Sequence, residues 1–340
     1  MKIADFRSDT VTKPTPDMLN AMMNAEVGDD VYGEDPTINK LEAKIAEMAG
    51  KEAAVFAASG SQSNLIGIMA HCERGDEYIV GQTAHTYLWE GGGAAVLGSV
   101  QPQPLDFESD GSLCLQKVEL AIKPLDDHHA RSKLLCLENT TNGKVLNLDY
   151  LKMANDFCHT HRLSMHLDGA RVFNAAVKLQ VELSAITQHF DTISLCLSKG
   201  LGAPVGSVLC GSKDLIRKAR RWRKVVGGAM RQAGILAAAG IYALDHHVQR
   251  LQVDHDNAYL LAEQLSQIDE IKVDKAALQT NILYVHTPPN YALLQAHLEQ
   301  NGIKFPKQPR RDVIRLVTHL DVTSADIGRT VHLIKKFYAN

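Results

Sequence analysis

Short apolar runs alternate with helix-length stretches over the first two-thirds of the chain. Residues 53–57, 77–80, 134–137, 163–168, 191–197 and 205–210 are rich in Val, Ile, Leu and Ala and too short for buried helices, so each predicts a buried strand. Between them, 18–25, 113–122, 148–161 and 213–224 carry apolar residues at helical spacing. The clearest helix opens at Asp35-Pro36, sets Leu41, Ile45 and Met48 on one face and stops at Gly50. Strands alternating with helices predict an α/β unit, a mostly parallel sheet covered on both faces. Near residue 248 the pattern changes. A long helix over 248–267 precedes short segments at 271–273, 281–285 and 313–317, with helices at 293–299 and 324–338. Two domains are expected: an amino-terminal arm and large domain over 1–247, and a small α+β domain over 248–340.

The length of 340 residues fits that division, and the 45% hydrophobic share supports a sizeable core. A net charge of −3 gives no general affinity for polyanions, so neither nucleic acid nor a membrane surface is an expected partner. Arg217, Lys218, Arg220, Arg221, Arg223 and Lys224 crowd one helix, which reads as a solvated or subunit-facing surface. The cysteines form no CxxC pair and the histidines no HExxH spacing, which argues against disulfides and against a metal site. Residues 1–6 lack a signal-peptide core and no apolar run reaches membrane-spanning length, so a cytoplasmic protein is expected.

Candidate chemistry gathers where strands end. The 191–197 run meets Lys199 and then Gly200, Gly202 and Pro204, which forbid continuation. A lysine at the mouth of a buried strand is desolvated, and the resulting fall in pKa makes it an amine nucleophile for Schiff-base chemistry. The alternative is a strand-end lysine reaching into solvent. Asp168 ends the preceding strand and is followed by Gly169 and Arg171. Two strands joined by a crossover place Asp168 and Lys199 on one carboxyl edge of a parallel sheet, where ligands bind. A carboxylate for a pyridinium nitrogen and a lysine for an aldehyde carbon are the partners pyridoxal phosphate requires. Gly60 and Ser61 open a helix whose backbone N–H groups suit a phosphate. His85, near Trp89 and the glycines at 91–93, is either a plain loop residue or a flat group stacked on a cofactor ring. Arg315 stands alone in an apolar strand and needs a carboxylate partner, which a substrate can supply.

With Asp168, Arg171 and Lys199 in hand, the sequence resembles the pyridoxal-phosphate enzymes of fold type I and, among them, the low-specificity L-threonine aldolases. Residues 5–12, 27–33, 167–171, 196–201 and 315–319 carry the resemblance and span nearly the whole chain. It implies retro-aldol cleavage of L-threonine, L-allo-threonine and other L-β-hydroxy-α-amino acids to glycine and an aldehyde such as acetaldehyde. A β-eliminating lyase or a racemase of the same fold is the alternative. The resemblance implies that Lys199 carries the cofactor, Asp168 pairs with its ring nitrogen, His85 stacks on the ring, and Arg171 lies beside the ring oxygen and substrate carboxylate. It assigns the phosphate to Gly60 and Ser61, the substrate carboxylate to Ser8 and Arg315, and the neighbourhood of the β-hydroxyl to His128. Ser61 stands where the family commonly has Thr, Thr141 where it has His, and Ala229 where it has Gly. A homo-oligomer, a tetramer built as a dimer of dimers with sites near a subunit interface, is also implied. Arg231 or Lys224, beside the Gly227-Gly228 turn, is then either a cation reaching a neighbour's cofactor phosphate or a surface residue.

Overall fold

The computed structural model describes residues 2–307 and 312–339. Its strands, in chain order, are Ala4–Asp5 (β1), Ala53–Ala57 (β2), Asp76–Gly81 (β3), Gln101–Leu105 (β4), Arg131–Glu138 (β5), Ser164–Gly169 (β6), Thr192–Cys196 (β7), Ser207–Gly211 (β8), Ile282–His286 (β9), Ile303–Lys304 (β10) and Val313–Val317 (β11). Seven of them form one sheet in the order β2-β8-β7-β6-β5-β3-β4. β8 pairs antiparallel with both its neighbours, β2 and β7, and the remaining pairings are parallel. The chain between β7 and β8 carries no helix, so it returns the strand alongside its predecessor in the opposite sense. Parallel neighbours require crossovers, and helices such as Leu148–His161 and Val172–Leu179 supply them.

The hydrophobic pattern missed β4, where Pro102 and Pro104 argue against a strand. β4 lies at the sheet edge and pairs only with β3, so the missing N–H groups face no second partner.

The apolar interior divides into two main cores and two minor clusters among the described residues. The larger runs from Met18 to Leu251; the smaller takes residues from Ala258 to Ile334 together with Ala4 and Phe6. Asp9, Thr12 and Met18 of the amino-terminal arm thus contact the large unit, while the start of the arm, residues 4–6, packs with the small one. There β1 pairs with β10, and the Phe6 ring stands edge-on to Phe305 at 5.6 Å. In the same unit β9 and β11 pair antiparallel, while the segment expected at 271–273 contributes a single bridge, Val273 to Val285.

The basic helix, Lys213–Val225, corrects the solvated reading in part. Arg217, Lys218, Arg221 and Lys224 are exposed, but Arg223 is buried, with Nη2 on Asp30 and Nη1 on the Phe56 carbonyl, each at 2.7 Å. Arg220 donates to Glu42 at 2.5 Å. These guanidinium groups tie the 27–33 loop to β2, and buried charges are tolerated because they are paired. Among the described residues no helix is long and apolar enough to cross a membrane.

Candidate active site

The carboxyl edge of the sheet gathers most of the candidate residues. β5 and β6 end in register at Glu138 and Asp168, and β7 ends just before Lys199. Asp168 is buried; Oδ1 accepts from the Ala170 N–H at 3.0 Å and Oδ2 from Asn64 Nδ2 at 2.9 Å. A carboxylate accepts about four hydrogen bonds, so Asp168 retains capacity for a ring N–H. Lys199 is half-buried, with Nζ donating to Cys196 Sγ at 3.6 Å and its carbonyl accepting from Thr12 Oγ1 at 3.1 Å. Ser59 caps the helix Gly60–His71 by accepting from the Gln62 N–H at 3.2 Å. A Cβ on Gly60 would come within 2.7 Å of Cys196 Sγ. The N-terminus of that helix therefore rests on the strand end that leads to Lys199. Amine, carboxylate and helix N-terminus lie along one edge, a donor set that fits pyridoxal phosphate.

His85 heads a one-turn helix rather than a plain loop. Its Nδ1 meets Glu90 Oε1 at 2.8 Å, and its backbone N–H donates to Glu138 Oε2 at 2.9 Å. One ring nitrogen of His85, one oxygen of Glu90 and one of Asp168 lie within 4.8 Å of one another. The hydrogen bond to Glu90 raises the His85 pKa above its ordinary value. Burial, with the Asp168 charge adding to it, pushes Glu138 up to about 7. Asn64, Glu90 and Glu138 received no roles from the sequence. The available signals were Asn64 one helical turn beyond Gly60, Glu90 five residues after His85, and Glu138 at the end of a strand beside Asp168.

The Glu138 shift has a pH consequence. The native side chain keeps its proton at pH values where the unfolded chain has released it, so the unfolded state binds fewer protons between about 4.5 and 7. Stability contributed by this group therefore falls as pH rises through that window. Thermal unfolding of the apoprotein should show a negative slope there, and Glu138→Gln should flatten it; identical slopes would assign the effect to another group.

Between the two domains a cleft of about 610 Å³ is lined by Arg7, His85, Trp89, Asn142, Tyr284 and Arg315, among others. Arg315 reaches it from β11. Ser8 sits next to this region as an N-cap, its Oγ accepting from the Thr10 N–H at 3.2 Å. Asp9, fully buried, takes Arg171 Nε at 2.8 Å and Nη2 at 2.6 Å. Burial alone would raise the Asp9 carboxyl; the Arg171 guanidinium outweighs it and holds the pKa well below the usual range. Arg171 is thus a partner of Asp9 first, with both Nη1 hydrogens and the second Nη2 hydrogen uncommitted to that carboxylate. The expected place of Arg171 beside the ring oxygen and substrate carboxylate therefore has Asp9 as its first partner, while Arg7 and Arg315 are the guanidinium groups that line the cleft.

His128 also departs from expectation. Its side chain is 86% exposed and faces Asp126 in the turn before β5. That turn lies at the amino edge of the sheet, while Asp168 and Lys199 mark the carboxyl edge. The eight residues of β5 separate the two, a rise of roughly 25 Å. His128 therefore does not reach the site of its own chain. Arg231 is 51% exposed and donates to Asp29 at 2.8 Å; Lys224 is exposed. Their turn nonetheless lies beside the helix Gly60–His71, since a Cβ on Gly228 would collide with the Gln62 side chain.

A family model described as beta-eliminating lyase matches residues 5–288. The chain belongs to the beta-eliminating lyase family. Within this family it is 54% identical over 336 residues to the low specificity L-threonine aldolase of Escherichia coli strain K12, covering 98% of this chain and 99% of that one. It is 42% identical to low-specificity L-threonine aldolase 1 of Arabidopsis thaliana over 97% of this chain and 95% of the other. The solved structure of Leishmania major threonine aldolase superposes with a TM-score of 0.83 at 23% identity, covering 98% and 99% of the two chains. At that identity the superposition speaks for the fold, which is fold type I of the pyridoxal-phosphate enzymes. In this chain the fold sets Asp168 on β6 and Lys199 just beyond the end of β7, its parallel neighbour.

Proposed function

We infer that the chain is an aldehyde-lyase that uses pyridoxal phosphate to cleave L-threonine, L-allo-threonine and related L-β-hydroxy-α-amino acids to glycine and an aldehyde. The observation that carries this reading is the end-to-end likeness to L-threonine aldolases in a chain that keeps Lys199 and Asp168 together at the sheet edge. When bound, pyridoxal phosphate supplies an electron-accepting ring for the pair released as Cα–Cβ breaks. Asp168 would hold the ring nitrogen, Lys199 the aldehyde carbon, and the first turn at Gly60 and Ser61 the phosphate. Arg315, with Ser8, grips the substrate carboxylate and so selects which bond at Cα stands perpendicular to the ring. His85, held through Nδ1 by Glu90, receives the proton of the β-hydroxyl within this chain.

The reading is tested by following aldehyde release from L-threonine, L-allo-threonine and their D counterparts, alongside the visible absorption band of the purified protein. Cleavage of both L isomers with glycine as co-product is expected. Release of pyruvate from serine, or racemisation in place of cleavage, would assign the site to the eliminating or racemising branch.

Arg315→Lys should lower kcat/KM for threonine mainly through KM. A point charge replaces a planar fork, and a charged hydrogen bond is worth about 1.5–3 kcal/mol, or roughly 10–100-fold. Unchanged kinetics would place the carboxylate elsewhere.

Assembly into a homo-oligomer is part of the same proposal, supported by the exposure of Met23, Tyr32, Trp89 and Val96. Arg231 acts either on a neighbour's phosphate or only on its own Asp29. Mixing Lys199→Ala with Arg231→Ala under subunit exchange separates these: activity returns if Arg231 works across an interface and stays at the level of the separate variants if it does not.

A further inference from the structure

Behind the cofactor edge, polar side chains run in single file through the packed layer between sheet and helix. Asn64 Nδ2 donates to both Glu90 and Asp168, each at 2.9 Å. Asn64 Oδ1 lies 3.1 Å from His166 Nε2, His166 Nδ1 lies 2.8 Å from Thr192 Oγ1, and that oxygen lies 2.8 Å from His71 Nε2. Asn64, His166 and Thr192 are all buried. Gly67 makes room for the imidazole, since a Cβ there would sit 2.8 Å from His166 Cε1. Asn64, Gly67 and His71 follow one another at spacings of three and four residues, which puts them on one helix face. His166 and Thr192 are register partners on β6 and β7.

The donor inventory gives this file one direction. With Nδ2 of Asn64 facing two carboxylates, Oδ1 faces His166 and can only accept, so the His166 proton is on Nε2. Burial keeps the imidazole neutral, lowering its pKa to about 3, so Nδ1 accepts from the Thr192 hydroxyl. That hydroxyl has a single proton, so toward His71 it accepts from Nε2–H.

We propose that His166 and Thr192 are positioning residues which lock the Asn64 amide with its NH₂ group toward Asp168 and Glu90, holding the Asp168 carboxyl group aimed at the cofactor ring. The inference rests on the pyridoxal-phosphate site proposed above. An Asn64 amide turned over would set its carbonyl against two carboxylates, and Asp168 would lose a buried donor. An unmade buried hydrogen bond of this kind is costly, which is why one distant hydroxyl can matter.

Two measurements test it. In the first, nitrogen-15 NMR of histidine-labelled wild-type protein reads the His166 ring directly. The Nε2–H tautomer, neutral through mildly acidic pH, is expected; a dominant Nδ1–H tautomer or a charged ring overturns the relay. In the second, Thr192→Val removes the hydroxyl at nearly constant shape and Thr192→Ser keeps it. The valine variant should bind pyridoxal phosphate about tenfold more weakly, with an altered pH dependence of its visible band, and should lose kcat at unchanged KM. The serine variant should recover most of the affinity and the spectrum. A folded valine variant with wild-type affinity, spectrum and kcat overturns the proposal; if that variant does not fold, the serine variant and the wild-type tautomer decide. A wild-type protein that binds no pyridoxal phosphate overturns the cofactor reading, whereas a wrong tautomer in a protein that binds it overturns the relay alone.

Discussion

Lys199→Ala is expected to abolish threonine cleavage, by on the order of a thousandfold or more, in a protein that still folds. Lys199 supplies the amine at the sheet edge, whereas its contribution to the fold is made mainly by the backbone. The carbonyl accepts from Thr12 Oγ1 and from the Gly202 N–H, and alanine keeps both bonds. The Nζ contact to Cys196 Sγ, at 3.6 Å, is weak. Unfolding should therefore shift by less than about 1 kcal/mol. Cofactor should still be held through Asp168 and the helix N-terminus at Gly60, without the spectrum of a covalent adduct. Substantial cleavage by the folded variant, without added amines, would remove Lys199 from the assigned role.

Asp9→Ala should produce the largest loss of stability. Asp9 is fully buried, and its partner Arg171 has a side chain only 13% exposed. Removing one member of a buried pair strands the other charge, at a cost of about 3–5 kcal/mol. The same carboxylate lies 3.5 Å from Asn281 Nδ2, so the pair also bears on the junction with the small domain. Replacing Arg171 with methionine in the Asp9→Ala background removes the stranded charge and should recover much of the loss. Thermal and denaturant unfolding of the two single variants and the double variant provide the measurement. Additive losses would show that the ion pair is not the source. Because the native Asp9 pKa is depressed, its contribution is present above the ordinary carboxylate range and fades as pH falls toward the native value.

Much of the fold was legible because its signals are local. The helix Leu148–His161 and the strand β11 fall on the residues the hydrophobic pattern predicted, and β7 is one continuous buried run. β4 was not legible, since two prolines make it look like a loop and only its edge position permits it. The pairing of the start of the arm with the small unit was not legible either, because two residues, Ala4 and Asp5, are too few to show a period or a partner. The site divides in the same way. Lys199 and Asp168 are visible because a charged residue closing an apolar strand is conspicuous in any chain. Asp9, Asn64, Glu90 and Glu138 look like ordinary polar residues until burial and close neighbours give them a function.

The sequence by itself determined the alternation of strands and helices, the edge of the sheet that carries the chemistry, and the amine and carboxylate found there. Each of those follows from side-chain periodicity or from a residue's position at the end of its own element. Only the tertiary structure decided that Arg171 answers to Asp9, that His128 lies at the far edge of the sheet, and that Asn64 is held by His166 and Thr192. Those outcomes depend on contacts between residues far apart in the chain and on the desolvation that comes with them. A charge or hydrogen-bonding group acquires its partner, and its energetic weight, only once the fold has taken water away from it.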